Sequence, residues 1–466
     1  MNDRIPDAES SHCLENFEIA AGRKTGEFYG AVFQDTDVAK WLEAVGFSLA
    51  CYPDEALEKT ADEVIDLIAE AQCEDGYINT YYTIKEPGKR WTDLCEGHEL
   101  YTAGHLIEAA VAYYEGTGKK KFLDCVSKFA DLICDTFGTE EGKIHGYPES
   151  CASIGLALFG LRMAQITGES QYIDVAERAL YNTVLAGIAL DGKSFFYVNP
   201  LEVWPPACME GTSKKHVKPI RQKWFGVACC PPNIARTLAS LGQYIYAENS
   251  KKKELYVNLF VSNETELDWN ENKISVKLQT EFPWVNTYSL EIKNVPEGEM
   301  DLLLRVPDYA QDYQVTADGN MYEENKELEK GYRRVHVEKD TRIEVSFAAP
   351  AKFVYANPQV RADSGKAAIV RGPLVYCLEE IDNSQNLPAV FVDTDTALEE
   401  EKSDLFGGIV TVKARGKKIV ESSVSNSLYS GQKPQLEDVE LTAIPYPYWN
   451  NRGEGEMLVW MKELRP

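Results

Sequence analysis

The stretch HELYTAGHLIEAAVAYYEGTGKKKFLDC, residues 98–125, decides the fold of the first half of the chain. On both sides of its Thr-Gly turn, apolar residues recur at spacings of three and four, which is the period of an amphipathic helix. A second unit of the same kind, AQITGESQYIDVA, lies at residues 164–176. Both stretches predict an α-hairpin, and stacked α-hairpins build a helical solenoid or a helical toroid.

The helical pattern continues to about residue 248 and is replaced by strand patterns from Lys251 onward. Helices are predicted over residues 37–52, 55–72 and 98–118, and several helical segments of this half end in glycine, as is common at helix C-termini. The second half contains short alternating or β-branched runs between turn residues, which predict antiparallel β-sandwiches.

We therefore predict a multidomain protein with a helical domain followed by two antiparallel β-sandwich domains. The predicted domains are a helical toroid-type domain over 1–248, a middle β-sandwich over 249–350 and a C-terminal β-sandwich over 351–466. The charged stretch 394–404 is predicted as a loop. The aromatic final segment, residues 443–466, is predicted to pack its last strands back on the middle domain.

Charge and composition restrict the partners of this chain. It has 466 residues and a formal net charge of -26 at pH 7, which opposes binding to nucleic acids and to anionic membranes and favours a neutral ligand such as a sugar. The first ten residues lack the apolar core of a secretory signal, and no run approaches the roughly 18 apolar residues of a membrane span. The 11 cysteines are irregularly spaced, which is no disulfide framework, and we expect a reducing, cytoplasmic setting.

Two adjacent cysteines, Cys229 and Cys230, lie in the stretch GVACCPPN, residues 226–233. A disulfide between neighbouring residues needs a strained peptide geometry, so these thiols are expected to be free. Two thiols side by side suit a soft metal ion or a reactive sulfur. Free cysteines also act as small buried apolar residues, and this stretch alone leaves both readings open.

A second pair of ligand-type residues, Glu149 and Cys151, opens the helix that begins in ESCASIG. The helix dipole favours anionic groups in a first turn. With Cys229 and Cys230 they form a set of four that zinc accepts in tetrahedral geometry, and a zinc ion with four protein ligands is usually structural. The alternative is that Glu149 is an ordinary first-turn residue and Cys151 fills the core.

Several motifs together resemble the β-L-arabinofuranosidase family of glycoside hydrolases, family 127. They are GVACCPPNIARTLASLGQYIY, ESCASIG, SFFYVNPLEVW, HVKPIRQKWFG, DGYINTYYT, HELYTAGHLIEAAVA and VRADSGKAAIVRGPLVYCLE. The resemblance covers nearly the whole chain. It implies an (α/α)6-barrel catalytic domain followed by two β-sandwich domains, and a retaining hydrolase in which a zinc-bound cysteine attacks the sugar.

The same resemblance implies a role for individual residues. The zinc ligands of the family fall on Glu149, Cys151, Cys229 and Cys230, and its nucleophile falls on Cys229. Tyr197 matches an active-site tyrosine. His98 matches a histidine that contacts the sugar.

One part of the family pattern is missing. A retaining glycosidase needs a second group as acid and base, which in the family is a glutamate upstream of the Glu-x-Cys motif. Here the early and late parts of the helical domain are joined directly at about 148/149, and about seven or eight helices are predicted before Lys251, too few for a closed ring of six hairpins. Glu140 and Glu141 are interpreted as solvated loop residues, while Glu202 fits a place near the site or at a strand end equally well.

These observations leave an active and an inactive interpretation of the chain. The first is a β-L-arabinofuranosidase-type hydrolase with Zn2+ and a carbohydrate substrate, and the alternative is a zinc-binding remnant that lacks the acid/base glutamate. A structural-zinc scaffold unrelated to sugars requires the resemblance to be accidental. Helices that lose their neighbours expose apolar faces, which a second copy of the chain can cover, so a homodimer is expected.

Overall fold

The computed structural model describes residues 11–94, 96–137, 149–212, 214–225, 229–269, 272–295, 300–324, 326–420 and 429–464. The chain divides into two compact units, Met1–Tyr147 and Pro148–Pro466, and each is described by itself. The division lies at the junction where the sequence predicts missing helices.

The first unit is helical. Its helices are α1 (Cys13–Ala20), α2 (Asp35–Cys51), α3 (Glu55–Ala71), α4 (Thr80–Ile84), α5 (Glu99–Thr117) and α6 (Lys121–Thr136). The predicted helices over 37–52, 55–72 and 98–118 are confirmed to within two residues at each end. Asp54 caps α3, because its carboxylate accepts hydrogen bonds from the Ala56 and Leu57 amides. The buried faces of α2, α3, α5 and α6 share one apolar core.

The second unit begins with the remaining long helices. They are α7 (Ser150–Thr167), α8 (Gln171–Ala179) and α9 (Cys230–Ser240), and the four-residue helix α10 (Glu380–Asn383) follows much later. Ile154, Ile173 and Ile234, one from each long helix, lie in a common core. The helical N-terminal region that the sequence predicts is therefore confirmed, while its (α/α)6 arrangement stays a prediction.

Both predicted α-hairpins turn at glycine. Gly118 ends α5 with a φ of 72°, and Gly168 ends α7 with a φ of 69°. A Cβ atom is unfavourable in this left-handed region, so glycine is the residue of least cost there. After each turn the chain enters α6 or α8, which packs back on the preceding helix.

Of the described helices, α7 alone has the length and apolar composition of a membrane-spanning helix. The sequence predicts no segment with these properties, and the length and apolar composition of α7 correct that prediction. Ile154, Leu158 and Leu161 of α7 are buried in the core that this helix shares with α8 and α9.

The described part of the chain contains twenty strands, all in the second unit. They are β1 (Glu202–Val203), β2 (Tyr246–Asn249), β3 (Glu254–Val257), β4 (Asn263–Trp269), β5 (Asn272–Thr280), β6 (Thr287–Lys293), β7 (Met300–Arg305), β8 (Gln311–Ala317), β9 (Asn320–Met321), β10 (Tyr332–Val337), β11 (Thr341–Ala348), β12 (Lys352–Tyr355), β13 (Lys366–Arg371), β14 (Leu374–Glu379), β15 (Val390–Val392), β16 (Glu399–Ser403), β17 (Ile409–Ile419), β18 (Leu436–Pro445), β19 (Met457–Leu458) and β20 (Met461–Glu463).

Two sheets form the middle region. One has the order β10-β7-β3-β2 and the other the order β4-β5-β6-β11-β8-β9. Leu302 and Val335 of the first sheet and Ile274 and Val345 of the second belong to one apolar core. The prediction of purely antiparallel pairing is wrong at β3 and β7, which run parallel. Strands β4 to β6 lie between them in sequence and supply the long connection that a parallel pair requires.

The C-terminal region forms one sheet of order β1-β19-β14-β18-β17-β15-β20-β13-β12, with β16 beside β17. Because β13 also pairs with β14, the path from β14 to β13 closes on itself. Antiparallel pairing is again wrong at one place, since β15 and β20 run parallel. The sandwich form of this region stays a prediction.

Two further predictions for this region need correction or detail. Within the predicted loop 394–404, strand β16 pairs with β17. Its charged side chains are exposed because it is an edge strand, so it shows no alternating pattern, and such charges discourage pairing with other chains. The aromatic final segment touches the middle region, where the Tyr448 and Trp284 rings lie 6.1 Å apart, and its strand β19 also pairs with β1.

Candidate metal centre

Three stretches of the second unit build the candidate site. Glu149 is the N-cap of α7, and Cys151 lies in the first turn of that helix. Cys229 is the N-cap of α9, and Cys230 is its first residue. The third stretch, residues 195–199, runs beside the start of α7, where Glu149 forms a β-bridge with Val198. Both the cysteine-rich motif and the Glu-x-Cys motif therefore lie at the start of a helix.

The side chains of Glu149, Cys151, Cys229 and Cys230, called the thiol cluster below, converge on one point. One ligand atom from each of the four lies within 4.8 Å of all the others. The Cys230 sulfur is 3.7 Å from that of Cys151 and 3.9 Å from that of Cys229, so no disulfide joins them. Sulfur atoms at about 2.3 Å from a tetrahedral zinc ion would be about 3.8 Å apart. The separations and the donor atoms therefore fit a zinc ion.

Burial distinguishes the three thiols. Cys230 is 0% exposed and Cys151 is 6% exposed, whereas Cys229 is only partly buried. Hydrogen bonds from Cys151 and then Cys230 lower the pKa of the Cys229 thiol, and a further contribution comes from Tyr197. Contact with Cys229 raises the pKa of Cys151, so its proton is retained when Cys229 ionises. Cys229 is thus the most accessible of the three thiols, and its hydrogen-bonding neighbours favour its ionised form.

Tyr197 lies beside the thiol cluster, as the resemblance implies. Its hydroxyl is 3.8 Å from the Cys229 sulfur, and its ring centroid is 5.9 Å from that of Phe225. Burial, followed by the nearby charges of Glu149 and Cys229, raises the pKa of Tyr197. The hydroxyl therefore keeps its proton and can donate a hydrogen bond to the Cys229 thiolate.

A buried hydrogen-bond network joins the segment bearing Tyr197 to α7. The Ser150 amide donates to Tyr197 O at 3.0 Å, and the Ser150 hydroxyl donates to Phe196 O at 2.9 Å. Asn199 Nδ2 donates to the Ser150 hydroxyl at 2.9 Å, and both Ser150 and Asn199 are 0% exposed. This network fixes Tyr197 relative to the first turn that carries Cys151. No local pattern predicts this network, because a serine beside Glu149 and a single asparagine at position 199 have no distinctive signature.

The remaining predicted residues belong to other elements of the chain or are not described. His98 is in the first compact unit, where it is the N-cap of α5 and its ring is 5.1 Å from that of Phe33. Glu202 is on β1, in agreement with the strand-end interpretation, and its carboxylate lies 3.3 Å from Lys214 Nζ. Glu140 and Glu141 lie outside the described residues, and so does Pro148, at the predicted junction.

Family comparisons agree with this architecture. The chain has a helical region followed by β-rich domains, with a cluster of thiols at the end of the helical part. The chain matches models of the GH127 β-L-arabinofuranosidase catalytic domain over 1–150 and 144–243, the GH127 middle domain over 254–350 and the GH127 C-terminal domain over 351–462. The chain belongs to glycoside hydrolase family 127.

Individual relatives give the same result. The chain is 29% identical to a non-reducing end β-L-arabinofuranosidase of Bifidobacterium longum subsp. longum, over 97% of this chain and 92% of the relative. It is similar to the crystal structure of a GH127 β-L-arabinofuranosidase from Geobacillus stearothermophilus T6, with 38% identity, a TM-score of 0.66 and coverage of 99% and 95%. A solved GH127 β-arabinofuranosidase is 28% identical, with a TM-score of 0.60 and coverage of 97% and 92%.

The alignments also bear on the missing helices. The alignment with the Bifidobacterium relative extends over 613 positions, more than the 466 residues of this chain, so the relative has residues without a counterpart here. The catalytic-domain model matches in two pieces that meet at residues 144–150. The two pieces therefore meet where the sequence predicts missing helices, and the loss of helices there stays a prediction.

Proposed function

We propose that the protein is a glycoside hydrolase of the retaining β-L-arabinofuranosidase type, in which the thiol cluster binds Zn2+ and Cys229 attacks the sugar. The observation that carries this proposal is the convergence of four ligand atoms from two distant motifs to within 4.8 Å. The substrate class is supported by the relatives from Bifidobacterium and Geobacillus, which are β-L-arabinofuranosidases. The substrate would be a glycan with terminal L-arabinofuranosyl units.

The thiol cluster suits both the metal and the nucleophile. A zinc ion bound there would keep the thiols deprotonated at neutral pH and limit their movement. Among the three thiols, Cys229 is the one that a substrate can reach, because Cys151 and Cys230 are buried. The Tyr197 hydroxyl, 3.8 Å from the Cys229 sulfur, would orient it toward the anomeric carbon.

The reaction would proceed in two displacements at the anomeric carbon. The Cys229 sulfur donates an electron pair to this carbon, the bond to the leaving oxygen breaks, and that oxygen takes up a proton. Water then gives up a proton and attacks the same carbon, and Cys229 departs as a thiolate. Two inversions restore the configuration, so the enzyme would retain it.

A second candidate function follows from the missing acid/base group. Within the thiol cluster, as formed by the described residues, Glu149 is the one carboxylate, and we assign it to the metal. The two-piece match to the catalytic-domain model supports the loss of helices at the place where the family carries its acid/base glutamate. The alternative is therefore a zinc-binding family member that has kept the nucleophile and lost efficient turnover.

The experiment that tests the proposal is the intact mass of the protein after mixing with an aryl β-L-arabinofuranoside. A good leaving group needs little acid assistance, so Cys229 can react even without the missing glutamate. We expect an adduct of one pentosyl unit that is absent in Cys229→Ser. A persistent adduct supports the alternative, and multiple turnover of a natural oligosaccharide supports the complete enzyme. A zinc-loaded protein with unchanged mass would contradict the nucleophile assignment.

We also propose the wider organisation that the sequence predicts. Residues 1–248 would be an (α/α)6-barrel that lacks helices at about 148/149, followed by β-sandwich domains over 249–350 and 351–466, and His98 would contact the sugar. The net charge of -26 opposes nucleic-acid and anionic membrane partners, and the irregularly spaced cysteines favour a reducing, cytoplasmic setting. Leu156 and Ile166 of α7 are exposed, and their burial by a second copy would give a homodimer.

A further inference from the structure

Arg221 is a buried arginine whose guanidinium is held by main-chain oxygens. Its Nε and Nη2 atoms donate to Ala186 O at 3.1 and 2.9 Å, and its Nη1 atom donates to Trp449 O at 2.8 Å. The residue is only 6% exposed. Burial lowers the pKa of Arg221 to about 10, so the side chain still carries its charge at neutral pH. The chain thus keeps a cation in its interior and satisfies it with directed hydrogen bonds.

The same guanidinium is part of a stack of flat groups. It lies over the Phe196 ring, 4.6 Å from the centroid, and the Phe196 and Trp449 rings stack at 4.6 Å and 7°. Asn450 extends this contact, because its Oδ1 accepts from the Arg221 main-chain amide at 3.1 Å and its own main-chain amide donates to the Glu379 carboxylate at 2.7 Å. Arg221 therefore connects Phe196 to a corner of the C-terminal region formed by Trp449 and Asn450.

Phe196 connects Arg221 to the residues beside the thiol cluster. Its carbonyl accepts the hydrogen bond from the Ser150 hydroxyl, and the next residue is Tyr197, whose side chain reaches Cys229. On the other side, Phe195 and Gln222 exchange two main-chain hydrogen bonds of 2.9 Å. The segment with Tyr197 is thus held between the first turn of α7 and the strand-like stretch that carries Arg221.

We propose that Arg221 is a positioning residue for the metal centre, through which the Trp449–Asn450 corner fixes Phe196 and Tyr197 against the start of α7. The inference rests on the proposed metal centre at the thiol cluster. It assigns part of the site to the C-terminal region, since the corner lies within the match to the GH127 C-terminal domain model. Arg221 touches neither the ligands nor the sugar in this proposal and acts through Phe196.

A space-filling role explains the observed contacts less well. A charge in the interior is costly unless it is fully hydrogen-bonded, and an apolar side chain of similar length would fill the same volume without that cost. A guanidinium supplies planar, directed donors together with a flat face for stacking. Both features are used at Arg221, and both act on groups that orient the segment next to the thiol cluster.

The test compares Arg221→Met and Arg221→Lys with the unchanged protein. Zinc affinity is measured by competition with a chromophoric chelator, and the absorption spectrum of the Co2+-loaded protein reports the geometry around the thiolates. We expect Arg221→Met to lower zinc affinity by about 10- to 100-fold, as is typical for partners that orient metal ligands, and to change the Co2+ spectrum. Arg221→Lys keeps the charge but not the planar donors, so it should restore only part of the affinity.

Arg371→Met is the matched control. Arg371 is also buried, at 7% exposure, and it donates to Pro283 O and Trp284 O as well as to Glu400. We expect it to lose thermal stability while zinc affinity and the Co2+ spectrum stay unchanged.

Three outcomes would overturn the inference in distinguishable ways. A folded Arg221→Met protein with unchanged zinc affinity and Co2+ spectrum would show that Arg221 has no positioning role. An equal loss of affinity in Arg371→Met would show that the effect is general destabilisation. Failure of the unchanged protein to bind zinc would remove the proposed metal centre and this inference with it. If Arg221→Met does not fold, the same comparisons are made with Arg221→Lys.

Discussion

Two polar clusters in the second compact unit differ in how their charges are compensated. In one, the Arg305 guanidinium pairs with Asp174 at 2.6 Å and also with Glu177, and the three side chains are at most 6% exposed. In the thiol cluster, the four converging groups are all neutral or negative, and none of them can neutralise the others. The first cluster contains its own cation, Arg305, whereas the thiol cluster has the composition of a cation-binding site.

This difference separates a structural cluster from a functional one. Buried charges are retained in proteins when they are paired and hydrogen-bonded or when they coordinate a metal. Arg305 joins α8 to strand β7 and meets the first condition with protein groups alone. The thiol cluster joins α7 to α9 and meets the second condition only with an added ion. Perturbing each cluster should therefore give different results for metal binding and for stability.

The largest effect is expected from Cys230→Ser, which removes a buried ligand from the thiol cluster. Metal analysis of the unchanged protein should give about one zinc per chain. In Cys230→Ser the zinc affinity should fall by more than about 10- to 100-fold, which is the loss typical when a residue that only orients a metal ligand is removed. Cys377→Ser is the control, since Cys377 is a buried free thiol on β14. Equal zinc content in both variants would contradict the assignment of the ligands.

Arg305→Met should give the opposite pattern. The change leaves Asp174 and Glu177 buried without their cation, which costs about 3–5 kcal/mol in the free energy of unfolding. Denaturant unfolding would measure this loss, and zinc content should not change. A loss of zinc in the folded variant would mean that the two clusters are not independent.

Asp35, a buried carboxylate in the first unit, is compensated by hydrogen bonds instead of by a cation. Asp35 is 1% exposed and accepts from the amide and the hydroxyl of Thr80 at 2.7 and 2.5 Å. Burial raises the pKa of Asp35 to about 6, so the folded state binds its proton more tightly than the unfolded state. The stabilisation that protonated Asp35 gives to the folded state is fully present below a pH of about 4. It is lost as the pH rises to about 6, and the free energy of unfolding falls by roughly 3 kcal/mol over this range.

The measurement for Asp35 is denaturant unfolding between pH 4 and 8, with Asp35→Asn as the variant. The free energy of unfolding of the unchanged protein, relative to Asp35→Asn, should decrease between pH of about 4 and 6 and then remain constant. A difference that does not vary with pH would show that Asp35 has an ordinary pKa.

The smallest effect is expected from Tyr197→Phe, which leaves all four ligands in place. The Cys229 thiolate loses one hydrogen-bond donor, and such a bond to a charged group contributes about 1.5–3 kcal/mol. The rate of pentosyl adduct formation on Cys229 should fall by about 10- to 150-fold, because the hydroxyl no longer orients the sulfur, while zinc affinity changes much less. Tyr181→Phe, on the π-helical turn after α8, is the control. If zinc affinity falls as far as the adduct rate, Tyr197 supports the metal site as a whole.

The local sequence pattern predicts the structure correctly wherever interactions within a few residues determine a helix or a turn. The helices over 55–72 and 98–118 were predicted within a residue at each end, because apolar spacing, the Asp54 cap and the turn at Gly118 all act within a few residues. Strand direction was less predictable. The parallel pairs β3–β7 and β15–β20 join segments far apart in sequence, and the edge strand β16 has no buried face to give it an alternating pattern.

The sequence by itself determined the helical N-terminal region, the β-rich remainder, the family and the four residues of the candidate metal centre. These follow from local periodicity and from motifs whose residues are close together in the chain. Only the tertiary structure decided that Cys151 and Cys230 lie 3.7 Å apart and that Arg221 joins Phe196 to Trp449. Such contacts depend on the packing of segments separated by tens to hundreds of residues, which no local pattern records.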